Sequence, residues 1–155
     1  MKIRKYKNSD LKEASDLIRN TFKRFNSRDA TKKGVRDYIE SYTLKEKNIE
    51  KIKKRFSRTS IFFVAEENKK IIGLIRGNPE RISNLFVKAD YHKKKIGKKL
   101  VERFEKEAIK KKSKLIKLKA SIYSVPFYQR MGYKKTTGTR YISELKIQPM
   151  QKSLR

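Results

Sequence analysis

Residues 82–100 have the sequence ISNLFVKADYHKKKIGKKL, in which a strand-like run leads into a lysine-rich turn and then an amphipathic helix. A second strand-like run, KLIKLKAS (residues 114–121), follows this helix, and VPFYQRMGY (residues 125–133) comes next. The apolar spacing predicts that the helix covers residues 97–112. Residues 82–133 therefore predict a strand, a turn, a helix, a second strand and a short aromatic helix that ends at a glycine.

The N-terminal part of the chain predicts one strand and two helical regions. Residues 1–6 alternate apolar and basic side chains, as a half-buried strand does. Residues 10–26 predict a helix, and Asp10 followed by Glu13 has the spacing of a capping box. Residues 30–56 predict a second helical region that is interrupted near its middle.

Further strands are expected on either side of residues 82–133. Residues 61–66 form a continuous apolar run, which predicts a strand buried on both faces. Residues 70–77 form the return strand, and the strand at residues 82–88 completes an antiparallel meander. A last strand is expected over residues 141–147. Antiparallel strands followed by a crossover helix predict a mixed α/β fold, and 155 residues fit one domain.

The chain is strongly basic. Lys and Arg number 44 against 16 Asp and Glu, which gives a formal net charge of +28. A charge of this size favours contact with polyanions such as RNA. The alternative is that the lysines, which are spread along the whole chain, only solvate the surface.

Several kinds of chemistry are excluded by composition. The chain has no Cys, so disulfides, thiol nucleophiles and Cys-ligated metals are excluded. His92 is the single histidine, which excludes a His-rich site, and no metal site is predicted. The sequence contains neither an apolar run long enough to span a bilayer nor an N-terminal apolar signal region. We therefore expect a cytoplasmic protein without a membrane partner.

The turn at residues 92–97 has the features of an anion site. The first N–H groups of a helix have no intrahelical partner, and the helix dipole places partial positive charge there. Gly97 lets the backbone approach a ligand without a Cβ, and Lys93, Lys94 and Lys95 add full charges. The alternative is a solvated basic helix start, which this composition readily produces.

A second motif follows the strand at residues 114–121. Phe127, Tyr128, Gly132 and Tyr133 form the pattern Phe-Tyr-x-x-x-Gly-Tyr. Together with the turn, this pattern resembles the GNAT acetyltransferase superfamily, which has a strand, a Gln/Arg-x-x-Gly-x-Gly/Ala turn and a helix before its own Phe-Tyr-x-x-x-Gly-Phe/Tyr motif. The resemblance covers nearly the whole chain. It implies a single GNAT-like domain over residues 1–155, with a central, mostly antiparallel twisted sheet and helices on both faces.

The turn departs from the superfamily pattern at two positions. His92 stands where Gln or Arg is usual, which is a mild change. Lys95 stands where Gly is usual. Two consequences are possible for a bound pyrophosphate. The Cβ of Lys95 narrows the space for it, or the Lys95 ammonium binds it directly.

The resemblance implies acetyl-coenzyme A as co-substrate. Its pantetheine arm is expected along the strand before the turn, and its pyrophosphate on the amides of the turn. Ser121, like Ser124, has the alternative role of capping the helix that follows, which we favour. The residues expected to bind the cofactor are Leu85, Phe86, Val87, His92, Lys93, Lys94, Lys95, Ile96, Gly97, Lys98 and Ser121.

The resemblance also implies that Tyr128 is catalytic and protonates the departing thiolate, while the Val87 N–H stabilises the oxyanion. A phenol suits the first role because it keeps its proton at neutral pH. The alternative is that Tyr128 is a core aromatic. The general base is not identified: Glu66, Glu67 or Glu144 acts through water, or the amine arrives neutral.

The predicted function is transfer of an acetyl group to a primary amine by direct attack in a ternary complex. An acidic macromolecule that presents an amine is electrostatically favoured as the acceptor, and a ribosome-associated protein would suit. A small amine held by Asp37, Glu40, Glu46 or Glu50 is the alternative. A rival hypothesis is a catalytically weak protein of the same fold that binds nucleic acid or the ribosome. Homodimer formation is expected from the superfamily.

Overall fold

Eight strands and five helices make up the computed structural model, which describes residues 1–155. Short 3₁₀ turns connect several of these elements. In chain order the elements are β1 (Lys2–Lys5), α1 (Leu11–Phe25), α2 (Lys32–Ser41), α3 (Glu46–Ser57), β2 (Ile61–Glu67), β3 (Lys70–Asn78), β4 (Arg81–Val87), α4 (Ile96–Lys110), β5 (Leu115–Ser121), α5 (Val125–Arg130), β6 (Lys134–Lys135), β7 (Arg140–Ile142) and β8 (Leu145–Ser153).

The strands form one mixed sheet in the order β1-β2-β3-β4-β5-β8-β6, and β7 pairs with β8. Every pair is antiparallel except β4–β5. The parallel pair arises because α4 carries the chain back along the sheet between β4 and β5, so that both strands run in the same direction. The predicted mixed, mostly antiparallel architecture is therefore confirmed.

Helices cover both faces of the sheet and bury two apolar cores. On one face, Leu100 and Phe104 of α4 pack with Phe63 of β2. On the other face, Ile18 of α1 packs with Val64 of β2, in a core that also includes α3. Adjacent residues of β2 thus enter different cores, which explains the continuous apolar run of this strand.

The parallel pair β4–β5 opens soon after it begins. The two strands pair only at Arg81 with Lys117 and at Ile82 with Leu118. β4 nevertheless continues to Val87 and β5 to Ser121. The two backbones therefore diverge in the middle of the sheet, and a cleft opens between them.

The expected capping box at the start of α1 is wrong. The Asp10 carboxylate accepts hydrogen bonds from the Lys7 N–H at 2.9 Å and from the Arg4 guanidinium at 2.8 and 2.9 Å. Glu13 accepts a hydrogen bond from the Ile71 N–H of β3 at 3.0 Å. Both carboxylates therefore join α1 to the sheet, because strand partners brought close by the fold compete with the local helix N–H groups.

The single last strand expected over residues 141–147 is also wrong. The segment is a hairpin, in which β7 ends at Ile142 and β8 begins at Leu145. Ser143 and Glu144 form the turn with φ values of 47° and 64°. Non-glycine residues seldom adopt this left-handed region, so a serine followed by a glutamate did not indicate a two-residue turn.

No helix in the structure combines the length and the apolar character that a membrane crossing requires.

Candidate active site

A cavity of about 820 Å³ lies where β4 and β5 diverge. Its lining comes from both faces of the sheet: Phe22 and Tyr38 belong to the side of α1 and α2, and Phe127 and Tyr128 belong to α5. The volume is typical of a small-molecule site. The predicted site residues that line the cavity are Leu85, Phe86, Val87, His92, Lys93, Lys95, Ile96, Gly97, Lys98, Ser121 and Tyr128.

Lys94 is the one predicted cofactor-binding residue outside this lining. Its ammonium lies 5.0 Å from the centre of the Tyr91 ring, at cation–π distance. The structure therefore brings together all but one of the predicted cofactor-binding and catalytic residues.

The backbone of β4 offers unpaired polar groups to the cleft. The Lys88 N–H donates to the Ile72 carbonyl of β3 at 2.8 Å. In an antiparallel pair only every second residue of a strand bonds to its neighbour, so the residues that alternate with Lys88 along β4 do not bond to β3. The N–H and C=O groups of Leu85 and Val87 therefore point away from β3 and into the cleft. Those of Phe86 belong to the ladder, so Phe86 contributes only its side chain to the cavity.

The lysine-rich turn adopts the backbone conformation that glycine favours. Lys93 and Lys95 have φ values of 66° and 63°. Lys95 thus takes up the left-handed conformation at the position where the superfamily pattern has Gly. The Lys95 carbonyl accepts from the Lys99 N–H at 3.1 Å, which starts α4 and leaves the N–H groups of Ile96, Gly97 and Lys98 without an intrahelical partner. The turn therefore keeps its row of free amides, although it carries a lysine.

Gly97 is needed for packing. A Cβ on Gly97 would lie 3.3 Å from Cζ of Phe127 and 3.4 Å from Cε1. The small residue therefore lets α5 lie close against the first turn of α4, and it holds the motif that contains Tyr128 beside the lysine-rich turn.

His92 closes one side of the cavity. Its Nε2–H donates to the Val87 carbonyl at 2.7 Å, since a carbonyl can only accept. Its ring stacks on Phe25 of α1 with centroids 4.4 Å apart, and Tyr123 lies 5.0 Å from Phe25 on the other side. The histidine therefore links β4 to α1, an arrangement that the sequence did not indicate.

Tyr128 is 5% exposed and lies edge-on to Phe127 and Tyr133. Burial raises its pKa, so the side chain is a neutral phenol at physiological pH. Its hydroxyl lines the cavity, has no hydrogen-bond partner in the protein and is not sealed from solvent. Tyr128 is thus a free proton donor at the cavity wall. Tyr133, in contrast, is a buried core residue whose hydroxyl donates to Glu105 at 2.8 Å.

The favoured capping role of Ser121 and Ser124 is wrong. The Ser121 hydroxyl donates to Ser124 Oγ, and Ser124 Oγ donates to the Ser121 carbonyl, both at 2.9 Å. No side-chain cap bonds the first N–H groups of α5. The two hydroxyls stabilise the turn between β5 and α5 instead, and both residues line the cavity.

The carboxylates considered as general bases lie outside the cavity. Glu66 pairs with Arg4 at 2.9 Å, Glu67 lies 4.0 Å from the N-terminal ammonium, and Glu144 accepts from the Thr31 hydroxyl at 3.0 Å. The acidic residues considered for a small-amine pocket do not line it either; they are Asp37, Glu40, Glu46 and Glu50.

Asp29 is the one carboxylate that lines the cavity. It belongs to the 3₁₀ turn Ser27–Asp29 between α1 and α2. The sequence did not point to Asp29, because NSRD (residues 26–29) indicates only a turn and no spacing connects it to the distant motifs.

Comparisons with known proteins agree with this geometry. Residues 26–154 match the family model described as an acetyltransferase (GNAT) domain. A GCN5-related N-acetyltransferase from Rhodopseudomonas palustris superposes with a TM-score of 0.83 at 21% identity, covering 99% of this chain and 95% of its own. The PaiA N-acetyltransferase from Thermoplasma acidophilum, solved in complex with coenzyme A, gives 0.78 at 24% identity, covering 99% and 98%.

A ribosomal-protein-alanine N-acetyltransferase from Brucella melitensis has a TM-score of 0.71 at 18% identity and covers 99% of this chain and 100% of its own. At these identities the structures share the fold. A search of curated proteins found no match. The family match spans most of the chain and includes the turn, the Phe-Tyr motif and the cleft between β4 and β5. The chain therefore belongs to the GNAT acetyltransferase family.

Proposed function

We propose that this protein transfers an acetyl group from acetyl-coenzyme A to a primary amine by direct attack in a ternary complex. The observation that carries the proposal is the cleft between β4 and β5, because it connects the two faces of the sheet. A donor and an acceptor can then meet from opposite sides at the Tyr128 hydroxyl. Family membership and the coenzyme A complex of the Thermoplasma neighbour support the same function.

The residues present fit acetyl-coenzyme A, which supplies an activated acetyl thioester. Leu85 offers an unpaired backbone N–H and C=O, and Val87 offers an unpaired N–H; these groups suit the amides of a pantetheine arm. The free N–H groups at the start of α4 suit a pyrophosphate, and the Lys93 and Lys95 side chains add positive charge.

Two groups of the chain would carry the chemistry. The Val87 N–H faces the cleft and would stabilise the negative charge that develops on the acetyl oxygen. As the new N–C bond forms and the S–C bond breaks, the Tyr128 hydroxyl would give its proton to the departing thiolate. The amine proton would be lost to solvent, and solvent would return a proton to Tyr128. No acyl-enzyme is expected, since the chain has neither a Cys nor a recognisable activated Ser.

Replacing Tyr128 by Phe tests this assignment. The hydroxyl is lost while the ring that packs against Phe127 and Tyr133 remains, so kcat should fall about 100-fold. The Kd for acetyl-coenzyme A, measured by calorimetric titration, should change less than about twofold because the turn is intact. Tyr141→Phe is the matched control, since Tyr141 is 64% exposed and lies outside the cavity. An unchanged kcat in Tyr128→Phe would remove Tyr128 from the mechanism.

The cofactor site has its own test. Acetyl-coenzyme A should bind saturably at both low and high salt and should outcompete ATP, because the free amides and the cleft recognise more than charge. Binding equal to that of ATP and lost with salt would mean that the turn is only a charged patch.

We further propose that the net charge of +28 gives a sequence-independent contact with RNA. A single-stranded homopolymeric RNA should bind in a fluorescence titration, and its association constant should fall steeply as salt is added. RNA binding together with no response to acetyl-coenzyme A would favour the rival, non-catalytic function. Homodimer formation and a cytoplasmic location stay predictions.

A further inference from the structure

A buried arginine without a carboxylate partner lies near the cavity, on β3. Arg76 is 5% exposed, and its Nε has no hydrogen-bond partner. The guanidinium carbon lies 5.1 Å from the centre of the Phe56 ring, and no acidic side chain pairs with it. A buried cation without a counter-ion is unfavourable unless a nearby group or a ligand compensates for it.

The only hydrogen bond that the Arg76 side chain makes starts a relay towards the cavity. Arg76 Nη2 donates to the Tyr42 hydroxyl at 3.1 Å. The Tyr42 hydroxyl then uses its own proton to donate to Asn84 Oδ1 at 3.4 Å. Asn84 Nδ2 donates in turn to the Tyr38 hydroxyl at 3.4 Å. Because a guanidinium only donates, every bond of the relay runs in the same direction, from Arg76 to Tyr38.

The relay ends at the cavity wall, which both Asn84 and Tyr38 line. The Tyr38 ring is held by stacking on Phe22, with centroids 3.8 Å apart. Its hydroxyl accepts from Asn84 and donates to no protein atom, so its proton is available to a molecule in the cavity. Burial, and then the neighbouring Tyr42, raise the pKa of Tyr38 well above its usual range, which keeps this donor protonated.

Asp29 adds a negative charge to the same cavity. Its carboxylate makes no ion pair, although the protein carries a net charge of +28. A free carboxylate in such a basic molecule attracts an ammonium group. The cavity thus contains one group suited to an amine and one donor suited to an oxygen.

We propose that the acceptor is a primary amine that carries a hydrogen-bond-accepting oxygen, a carboxylate or an amide carbonyl, close to its nitrogen. Tyr38 binds that oxygen, and Asp29 attracts the ammonium. Asn84, Tyr42 and Arg76 act as positioning residues, and Arg76 adds a positive charge behind the donor. This inference rests on the proposed acetyltransferase function and narrows its substrate class: simple alkylamines, which lack the oxygen, are poor acceptors.

Glycinamide and propylamine test the inference, because they have the same chain length and differ in the carboxamide. Because the carboxamide also makes the amine less basic, kcat/KM is calculated on the concentration of unprotonated amine, and in the wild type the value for glycinamide should exceed that for propylamine at least tenfold. Tyr38→Phe should abolish this preference by raising KM for glycinamide at least tenfold, while KM for propylamine rises much less. Tyr141→Phe, an exposed tyrosine, should keep the preference. Asp29→Asn should raise KM for both amines equally.

Two results would overturn the inference: equal use of the two amines by the wild type, or the same loss for both amines in Tyr38→Phe. If neither amine is acetylated, glycinamide is titrated into the protein saturated with coenzyme A. Binding that is lost in Tyr38→Phe would support the recognition site while the acetyltransferase proposal fails. Absence of binding would refute the recognition site, and the acetyl-coenzyme A titration would then judge the proposed function separately.

Discussion

Tyr133 ties the segment that carries Tyr128 to the rest of the molecule. Its hydroxyl donates to Glu105 of α4 at 2.8 Å. The same carboxylate accepts from Lys152 of β8 at 3.0 and 3.1 Å. Glu105 is 9% exposed, so these hydrogen bonds offset the cost of removing its charge from water. The end of α5 is therefore fixed against both α4 and β8, and the position of Tyr128 depends on it.

Replacing Tyr133 by Phe should destabilise the protein by about 2 kcal/mol, because the lost hydrogen bond goes to a buried charged group. Urea unfolding gives the free energy of unfolding. Tyr123→Phe is the control, since Tyr123 is 53% exposed and its hydroxyl makes no hydrogen bond in the structure. A loss below about 0.5 kcal/mol in Tyr133→Phe would show that Lys152 alone compensates Glu105.

At the scale of the elements, a partly buried ion-pair network joins the first strand, the first helix and the neighbouring strand. Arg4 of β1 donates to Asp10, just before α1, and to Glu66 of β2 at 2.9 Å. Asp10 is 4% exposed. Burial alone would raise the pKa of Asp10, but the hydrogen bonds from Arg4 and from the Lys7 N–H lower it below its ordinary value. The edge strand and α1 are held to the sheet by this network.

The Asp10→Asn substitution should have an effect that depends on pH. The folded-state pKa of Asp10 is depressed, so its contribution is present above the unfolded-state pKa of about 3.9 and is lost as pH falls through the folded value. The variant should be less stable than the wild type by about 2 kcal/mol at pH 7. The difference should shrink progressively below about pH 4.

Free energies of unfolding measured from pH 7 down to acid give this difference directly. Asp37→Asn is the control, because Asp37 pairs with Lys33 on an exposed helix surface and should give a smaller effect. A difference that stays constant with pH would contradict the electrostatic origin.

For the whole molecule, the surplus of positive charge opposes the compact state. The structure has 11 ion pairs, whereas Lys and Arg number 44, so most cationic side chains have no anionic partner. Repulsion among like charges falls when salt shortens the screening length. Repulsion among the basic side chains therefore destabilises the fold at low ionic strength.

Raising NaCl from about 20 mM to about 300 mM should raise Tm by about 3 °C, since screening a repulsion worth about 1 kcal/mol has this effect in a domain of this size. Differential scanning calorimetry measures the shift. Sodium sulfate at equal ionic strength separates general screening from anion binding at the start of α4. A Tm that falls with NaCl would mean that the attractive ion pairs outweigh the repulsion.

Much of the architecture could be predicted from the sequence, because periodicity reports which side of each element is buried. The run in β2, the stripe of α4 and the turn before it all have the predicted type and nearly the predicted bounds. The Phe-Tyr-x-x-x-Gly-Tyr motif led to Tyr128, and the structure places that residue at the cavity. These features are local, since each depends on residues within a few turns of chain.

Features that depend on distant partners were decided by the tertiary structure. The early divergence of β4 and β5 follows from long-range pairing, which no residue in either strand specifies. Asp29 lines a cavity most of whose lining residues are more than fifty positions away, and Arg76 reaches the same cavity through Tyr42, Asn84 and Tyr38. Apolar periodicity identifies which side chains are buried, whereas the partner of a polar side chain is set by how the elements pack together.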